Sequence, residues 1–317
     1  MSYIYRSHRA QLLQDYLKYK RNLGFIVEND YQFNKMDRFF IEMNRLDSIG
    51  ISKQEADEWN KFDGLEQSGS QYNRINQMIG FSIYLRHLGY ESAIPEQIKR
   101  INSFQPYIFT KNEIERIFIA ANKLTCDKSH SCRNILATYF ELLYSTGIRK
   151  SEGLKLTIED VNLEKGTILI RETKNGRDRI LPLSDSMHER MIIYSNKYNV
   201  LVNSSDKFFR TIDNREFSID CVNYWFVKIL YEAKIPYLSG GHGPRVHDLR
   251  FSFACHSLVK MEQSGMDIYV ELPILSQYMG HVSIESTEYY ISLTQDLFPE
   301  LIKNRSKVDS KTFPEVS

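Results

Sequence analysis

The segment TILIRETKNGRDRILPL, residues 167–183, decides the fold class. Residues 167–171 and 179–183 are short runs rich in apolar side chains, and Asn175-Gly176 lies between them. Asn-Gly is a strong hairpin signal, because both residues tolerate φ > 0. Outward from this hairpin the apolar period is helical. Upstream, Ile135, Leu136, Tyr139, Phe140 and Leu143 form a stripe that ends at Thr146-Gly147. Downstream, one helix carries Val222, Phe226, Ile229 and Leu230. Another starts near His247 and buries Leu249, Phe253 and Leu258. A last one begins at Ser283, a good N-cap, and runs through Tyr289-Tyr290. A small antiparallel β-sheet among helices predicts a mainly α, α+β protein.

The first hundred residues read as helices alone. Leu12, Leu13, Tyr16, Leu17 and Leu23 follow a helical period, and Gly24 suits the left-handed residue that ends a helix. A second helix carries Phe33, Met36, Phe40 and Met43. A third starts at Ser52, with Glu55 completing a capping box. A fourth places Ile75, Ile79 and Ile83 on one face. Prolines at Pro95 and Pro106 mark a connecting stretch, and Thr110 with Glu113 signals a new helix start, with Phe109 and Ile114 placed to form a hydrophobic staple. The expected organisation is a helical domain at 1–100, a linker at 101–107, a second domain at 108–298 and a polar tail at 299–317.

The 317 residues carry 41 basic and 40 acidic side chains, a net charge of +1. Bulk charge therefore gives no reason to expect a polyanionic partner. No apolar run is long enough to span a membrane, and no secretory signal is visible. Four cysteines in a chain of this length make no disulfide framework and point to a reducing compartment. The His and Cys spacing does not form paired zinc ligands, so no metal or other cofactor is expected.

Four places could do chemistry. In Thr146-Gly147-Ile148-Arg149-Lys150-Ser151-Glu152, an arginine follows a glycine turn at a helix start, which suits a phosphate. Lys174 sits on the hairpin tip, where a lysine of lowered pKa could donate a proton, although charges there also serve solubility. His247 and Arg250 are three apart and share a helical face, a ready clamp for an oxyanion. His281 lies just before a helix that carries Tyr289 and Tyr290. A tyrosine hydroxyl is a poor nucleophile at its free pKa of about 10, and becomes useful only beside groups that stabilise its anion.

In this order the motifs resemble the tyrosine recombinases, the phage-integrase type of site-specific DNA recombinase. The resemblance runs from Thr146-Gly147-Ile148-Arg149 through Lys174 and Ile180-Leu181-Pro182-Leu183 to His247-Asp248-Leu249-Arg250, Met279-Gly280-His281 and Tyr290. Phe251 and Met279 depart from the residues most frequent at those places. The resemblance implies that Arg149 and Arg250 hold the scissile phosphate. It implies that Lys174 protonates the 5′-oxygen leaving group, His247 assists the nucleophile, His281 hydrogen-bonds the phosphate, and Tyr290 forms a 3′-phosphotyrosine link. It further implies double-stranded DNA as partner, a homotetramer on DNA, accessory DNA-bending or directionality proteins, and a cytoplasmic, nucleoid-associated enzyme serving integration, excision or transposition of a mobile element. A non-catalytic DNA-binding relative acting as a regulator is the alternative. A type IB topoisomerase shares the chemistry and is a weaker one.

Overall fold

The computed structural model describes residues 3–25, 31–61, 64, 66–100, 105–123, 133–171, 178–200, 202–211, 213–237, 243–281 and 289–294. The chain forms two compact units, Met1–Phe104 and Gln105–Ser317.

The first unit holds α1 (Ala10–Asn22), α2 (Tyr31–Met43), α3 (Lys53–Asn60) and α4 (Ser68–His87). Its core is Leu13, Tyr16, Leu17, Phe33, Met36, Phe40, Trp59, Ile75, Met78, Phe81 and Leu85. The capping box at α3 forms as expected: the Glu55 backbone N–H donates to Ser52 Oγ, and Ser52 N–H donates to Glu55 Oε2. The same carboxylate pairs with the fully buried Arg9 at 2.7 Å, whose guanidinium also donates to the carbonyls of Ile49 and Gly50 and lies over Phe40. A buried ion pair is tolerated only when its remaining donors are met in this way. On α4 the buried line is Ile75, Met78, Phe81 and Leu85, whereas Ile83 is exposed. Steps of four residues drift around a helix of 3.6 residues per turn, so Ile75, Ile79 and Ile83 do not stay on the core face.

The second unit contains α5 (Lys111–Lys123), α6 (Arg133–Thr146), α7 (Lys150–Lys155), β1 (Val161–Asn162), β2 (Thr167–Ile170), β3 (Arg179–Pro182), α8 (Asp185–Tyr198), α9 (Ile219–Glu232), α10 (Asp248–Gln263) and α11 (Ile268–Met279). Residues 289–294 are also helical. The class is mainly α with a three-stranded antiparallel sheet in the order β1-β2-β3. The predicted strands pair with Ile168 opposite Leu181 and Ile170 opposite Arg179. The hairpin tip, including Lys174 and Asn175-Gly176, lies outside the described residues, as does Ser283. The Thr110–Glu113 box caps α5, and Phe109 and Ile114 are both buried beside it.

Helix α6 is the hub, packing against α5, α8 and α10. Its apolar stripe joins Phe109, Ile117, Phe208, Phe209, Phe226 and Leu249 in one large core. A smaller cluster of Ala254, Cys255, Leu258, Leu272, Leu275, Met279 and Tyr290 lies on the other side of α10. The candidate residue Tyr290 is part of this smaller core, and Arg250 comes from α10. Among the described residues no helix is long and apolar enough to cross a membrane.

Candidate active site

Helix α6 stops at Thr146, and Gly147 takes the left-handed conformation at φ 62°. A side chain at 147 would be strained there, and its Cβ would fall 2.3 Å from the ring of Phe253. The turn delivers Arg149 to the N-cap of α7. Glu152, one turn in, accepts from the Arg149 backbone N–H at 2.9 Å and from its Nη1 at 2.6 Å. Arg149 Nη2 donates to the Gly280 carbonyl at 3.2 Å, and about a quarter of its side chain stays open.

Arg250 comes from the first turn of α10 and is 3% exposed. It donates to the Gly147 carbonyl at 2.6 Å, the Met279 carbonyl at 2.8 Å and His281 Nε2 at 2.9 Å. Arginine can only donate, so His281 Nε2 accepts and its proton resides on Nδ1. Burial lowers the Arg250 pKa to about 10, with Tyr290 opposing the fall and Arg149 adding to it; the group remains charged at neutral pH.

Helix α11 ends in a Schellman motif: the His281 N–H donates to Ser276 O and the Gly280 N–H to Gln277 O. Gly280 sits at φ 69°, and this turn aims His281 at Arg250. Tyr290 is 4% exposed, and its ring stacks on His281 with centroids 5.6 Å apart and planes 6° from parallel. Burial raises its hydroxyl pKa, and the charge and hydrogen bonding of Arg250 work against that rise. Tyr289, by contrast, is 36% exposed. His247 is the N-cap residue of α10 and meets Phe251 edge-on, and Phe251 in turn touches Tyr290.

Arg149, His247, Arg250, His281 and Tyr290 are thus brought together, while Lys174 lies outside the described residues. Both imidazoles are pushed down to about 4, first by burial and then by the surrounding arginines. They are neutral at pH 7 in the DNA-free chain, so each has one accepting nitrogen, which in His281 is taken by Arg250. Unfolded histidine takes up a proton near pH 6.5, whereas these two refuse it until about 4. Stability is therefore complete above about pH 6.5 and is lost as pH falls from there toward 4. The melting temperature of the DNA-free chain should drop by roughly 3–8 °C between pH 7 and pH 5. Replacing both histidines by Gln should flatten that dependence; an unchanged slope would contradict the burial described.

By sequence, Arg179 belongs to a hairpin whose charges serve solubility. Its side chain on β3 is instead 10% exposed and donates to Glu152 Oε2 at 2.8 Å, Glu152 Oε1 at 3.3 Å and the Tyr278 carbonyl at 3.1 Å. The period-two pattern carries a signal for this burial. Arg179 and the buried Leu181 share one strand face, whereas Ile180 between them is 68% exposed.

The model of the Phage integrase family matches residues 108–296. A putative integrase/recombinase, y4rB, of Sinorhizobium fredii is 26% identical over 302 residues, covering 92% of this chain and 95% of that protein. The tyrosine recombinase XerA of Pyrococcus horikoshii is 28% identical over 249 residues, 78% of each chain. Among solved structures, a lambda integrase tetramer bound to a Holliday junction superposes with a TM-score of 0.62 at 15% identity, covering 88% of this chain and 76% of that one. At that identity the likeness concerns the fold.

Proposed function

Because this chain belongs to the phage integrase family, the tyrosine recombinases, we propose that it is a site-specific DNA recombinase that cuts and rejoins duplex DNA through a 3′-phosphotyrosine link at Tyr290. The observation that carries this reading is the placement of the buried Tyr290 ring on His281, with Arg250 reaching both.

The chemistry follows from the groups present. The Tyr290 hydroxyl oxygen attacks the scissile phosphorus in line, and the bond from phosphorus to the 5′ oxygen breaks. Negative charge grows on the two non-bridging oxygens. Arg149 and Arg250 supply fixed positive charge there, held by carbonyls and a carboxylate before DNA arrives, so little reorganisation is needed in the transition state. Neutral His247 takes the tyrosine proton, and its basicity rises once the anionic phosphate sits between it and the arginines. His281 turns a ring nitrogen to a phosphate oxygen. Lys174, on the hairpin, gives a proton to the departing 5′ oxygen. The phosphotyrosine ester keeps the energy of the broken bond, so a 5′ hydroxyl from another strand reverses the step without ATP.

Exchange between two duplexes needs four such strand cleavages, and we take the working unit to be four copies on two DNA sites, with the helical first unit adding DNA contacts. Integration, excision and transposition of a mobile element all use this same chemistry.

The test uses a pool of nicked duplexes with randomised centres, enriched over rounds. A nick near the cleavage point lets the short product diffuse away and traps the adduct. A recombinase yields a denaturant-resistant protein–DNA species. A regulator that only reads DNA shifts the duplexes in a native gel and yields none, which would overturn the proposal.

A further inference from the structure

We propose that Arg179 is a positioning residue for strand cleavage: by sharing the Glu152 carboxylate with Arg149, it keeps Arg149 available to a DNA phosphate. This rests on the recombinase reading above.

Glu152 is 6% exposed and receives donors from both arginines. Burial works to raise its pKa, but Arg179, the larger of the opposing causes, and Arg149 together hold it low, so it is ionised. A buried carboxylate facing Arg149 alone would form a closed, neutral pair. An incoming phosphate would then have to take Arg149 away from a full negative charge in a dry site, where such competition is costly. Arg179 changes that balance. The trio of Arg149, Glu152 and Arg179 carries a net charge of +1, and Glu152 divides its attraction between two guanidiniums. The more exposed one, Arg149 at 24% against 10% for Arg179, is the one placed to meet a ligand.

Arg179 also fixes the turn at the end of α11. Its Nε donates to the Tyr278 carbonyl. Its guanidinium lies so close to Gly280 that a Cβ there would fall 2.7 Å from Nη1 and 2.8 Å from Cζ. The next peptide gives the Gly280 carbonyl to Arg149, and the next residue is His281. One buried side chain therefore steadies both a phosphate-facing arginine and the turn that presents a histidine. All three of its guanidinium nitrogens already donate to Tyr278 O or Glu152, and the side chain is 10% exposed, an arrangement that suits positioning.

The test uses the full chain and the nicked-duplex pool, with Arg179→Ala, Arg179→Gln, Glu152→Gln and the double variants. Arg179→Ala should slow adduct formation by about 100-fold, the scale of a small misplacement of reacting groups. DNA affinity should stay within about threefold, as expected for a residue that touches no phosphate. Adding Glu152→Gln should recover about tenfold or more, since it removes the charge that Arg179 offsets; two merely structural lesions would add instead. Arg179→Gln keeps the side-chain stem and an amide donor at the Nε position for Tyr278, and the same comparison is made with it if the alanine variant does not fold. A second readout needs no reaction. In the DNA-free chain, NMR of the Arg149 guanidinium should show slower N–H exchange in Arg179→Gln than in wild type, and fast exchange again in the double variant. A wild-type chain that forms no adduct would sink the recombinase reading, and the NMR comparison would still decide the coupling. Identical Arg149 exchange in wild type and Arg179→Gln, or a double variant as slow as the single one, would overturn the proposal.

Discussion

Replacing Tyr290 by Phe abolishes covalent trapping of DNA while leaving the fold and DNA affinity intact, and replacing Tyr289 by Phe leaves trapping within about twofold of wild type; this is the largest effect expected, because only one of two adjacent helical side chains can face the phosphate. Tyr290 is buried against His281 and Phe251 with Arg250 beside its hydroxyl, whereas Tyr289 is far more exposed and meets Phe251 from further away. Phenylalanine keeps the ring, and with it the stacking on His281. The hydroxyl's net contribution to stability is about 1 kcal/mol, so the variant folds. What it loses is the attacking oxygen. The measurement is the fraction of nicked duplex converted to a denaturant-resistant species. Trapping that survives Tyr290→Phe and disappears in Tyr289→Phe would move the nucleophile to the neighbouring residue.

Arg250→Ala should damage both catalysis and the fold. Its guanidinium joins the carbonyl of Gly147, at the α6–α7 turn, to that of Met279, at the end of α11, and it fixes His281. Removing it leaves two buried acceptors unmet and a cavity between α10 and its neighbours, a loss of about 2–4 kcal/mol. For the reaction it removes a preorganised donor at the phosphate, worth about 10²–10³ in rate, and the displacement of His281 adds to that. Arg250→Lys keeps the charge but cannot direct a planar fork at separated acceptors, so it should recover stability only in part. Thermal unfolding and the single-turnover rate of adduct formation read the two losses separately. A melting temperature and a rate both close to wild type would contradict the geometry described for Arg250.

The features legible in the sequence are those set by local rules. The two capping boxes depend on residues three apart, and both form where Ser52 with Glu55 and Thr110 with Glu113 predict them. The β2–β3 pair follows from alternating apolar runs either side of a hairpin signal. Strand β1 is two residues long, too short to show any period. Helix α11 carries Pro273 in its interior, which breaks the usual helical signature; Leu272, Leu275 and Met279 pack with Ala254, Cys255 and Leu258 of α10, and the context overrides the local rule. Helix α8 gives little signal although Ser184 caps it, since its buried positions Met187, Met191 and Tyr194 are spread among polar residues.

For the site, the sequence indicates which residue types to gather but not what holds them. The motif order singles out Arg149, His247, Arg250, His281 and Tyr290. It does not reveal that Arg250 is anchored by carbonyls from residues 147 and 279, because those contacts join segments far apart in the chain. Nor does it show that Arg179 shares a carboxylate with Arg149, a pairing that exists only once β3 lies beside α7. The near-neutral composition is silent for the same reason. A net charge of +1 hides a cluster of three arginines around one carboxylate and two neutral imidazoles.

The most direct measurement digests the trapped adduct with protease and nuclease and identifies the modified peptide and the released DNA end by mass spectrometry. The account predicts a nucleotide joined through its 3′ phosphate to the Tyr290 oxygen, with a free 5′ hydroxyl on the other strand end. A nucleotide on Tyr289, a link through a 5′ phosphate, or cleaved DNA with no residue attached would contradict it.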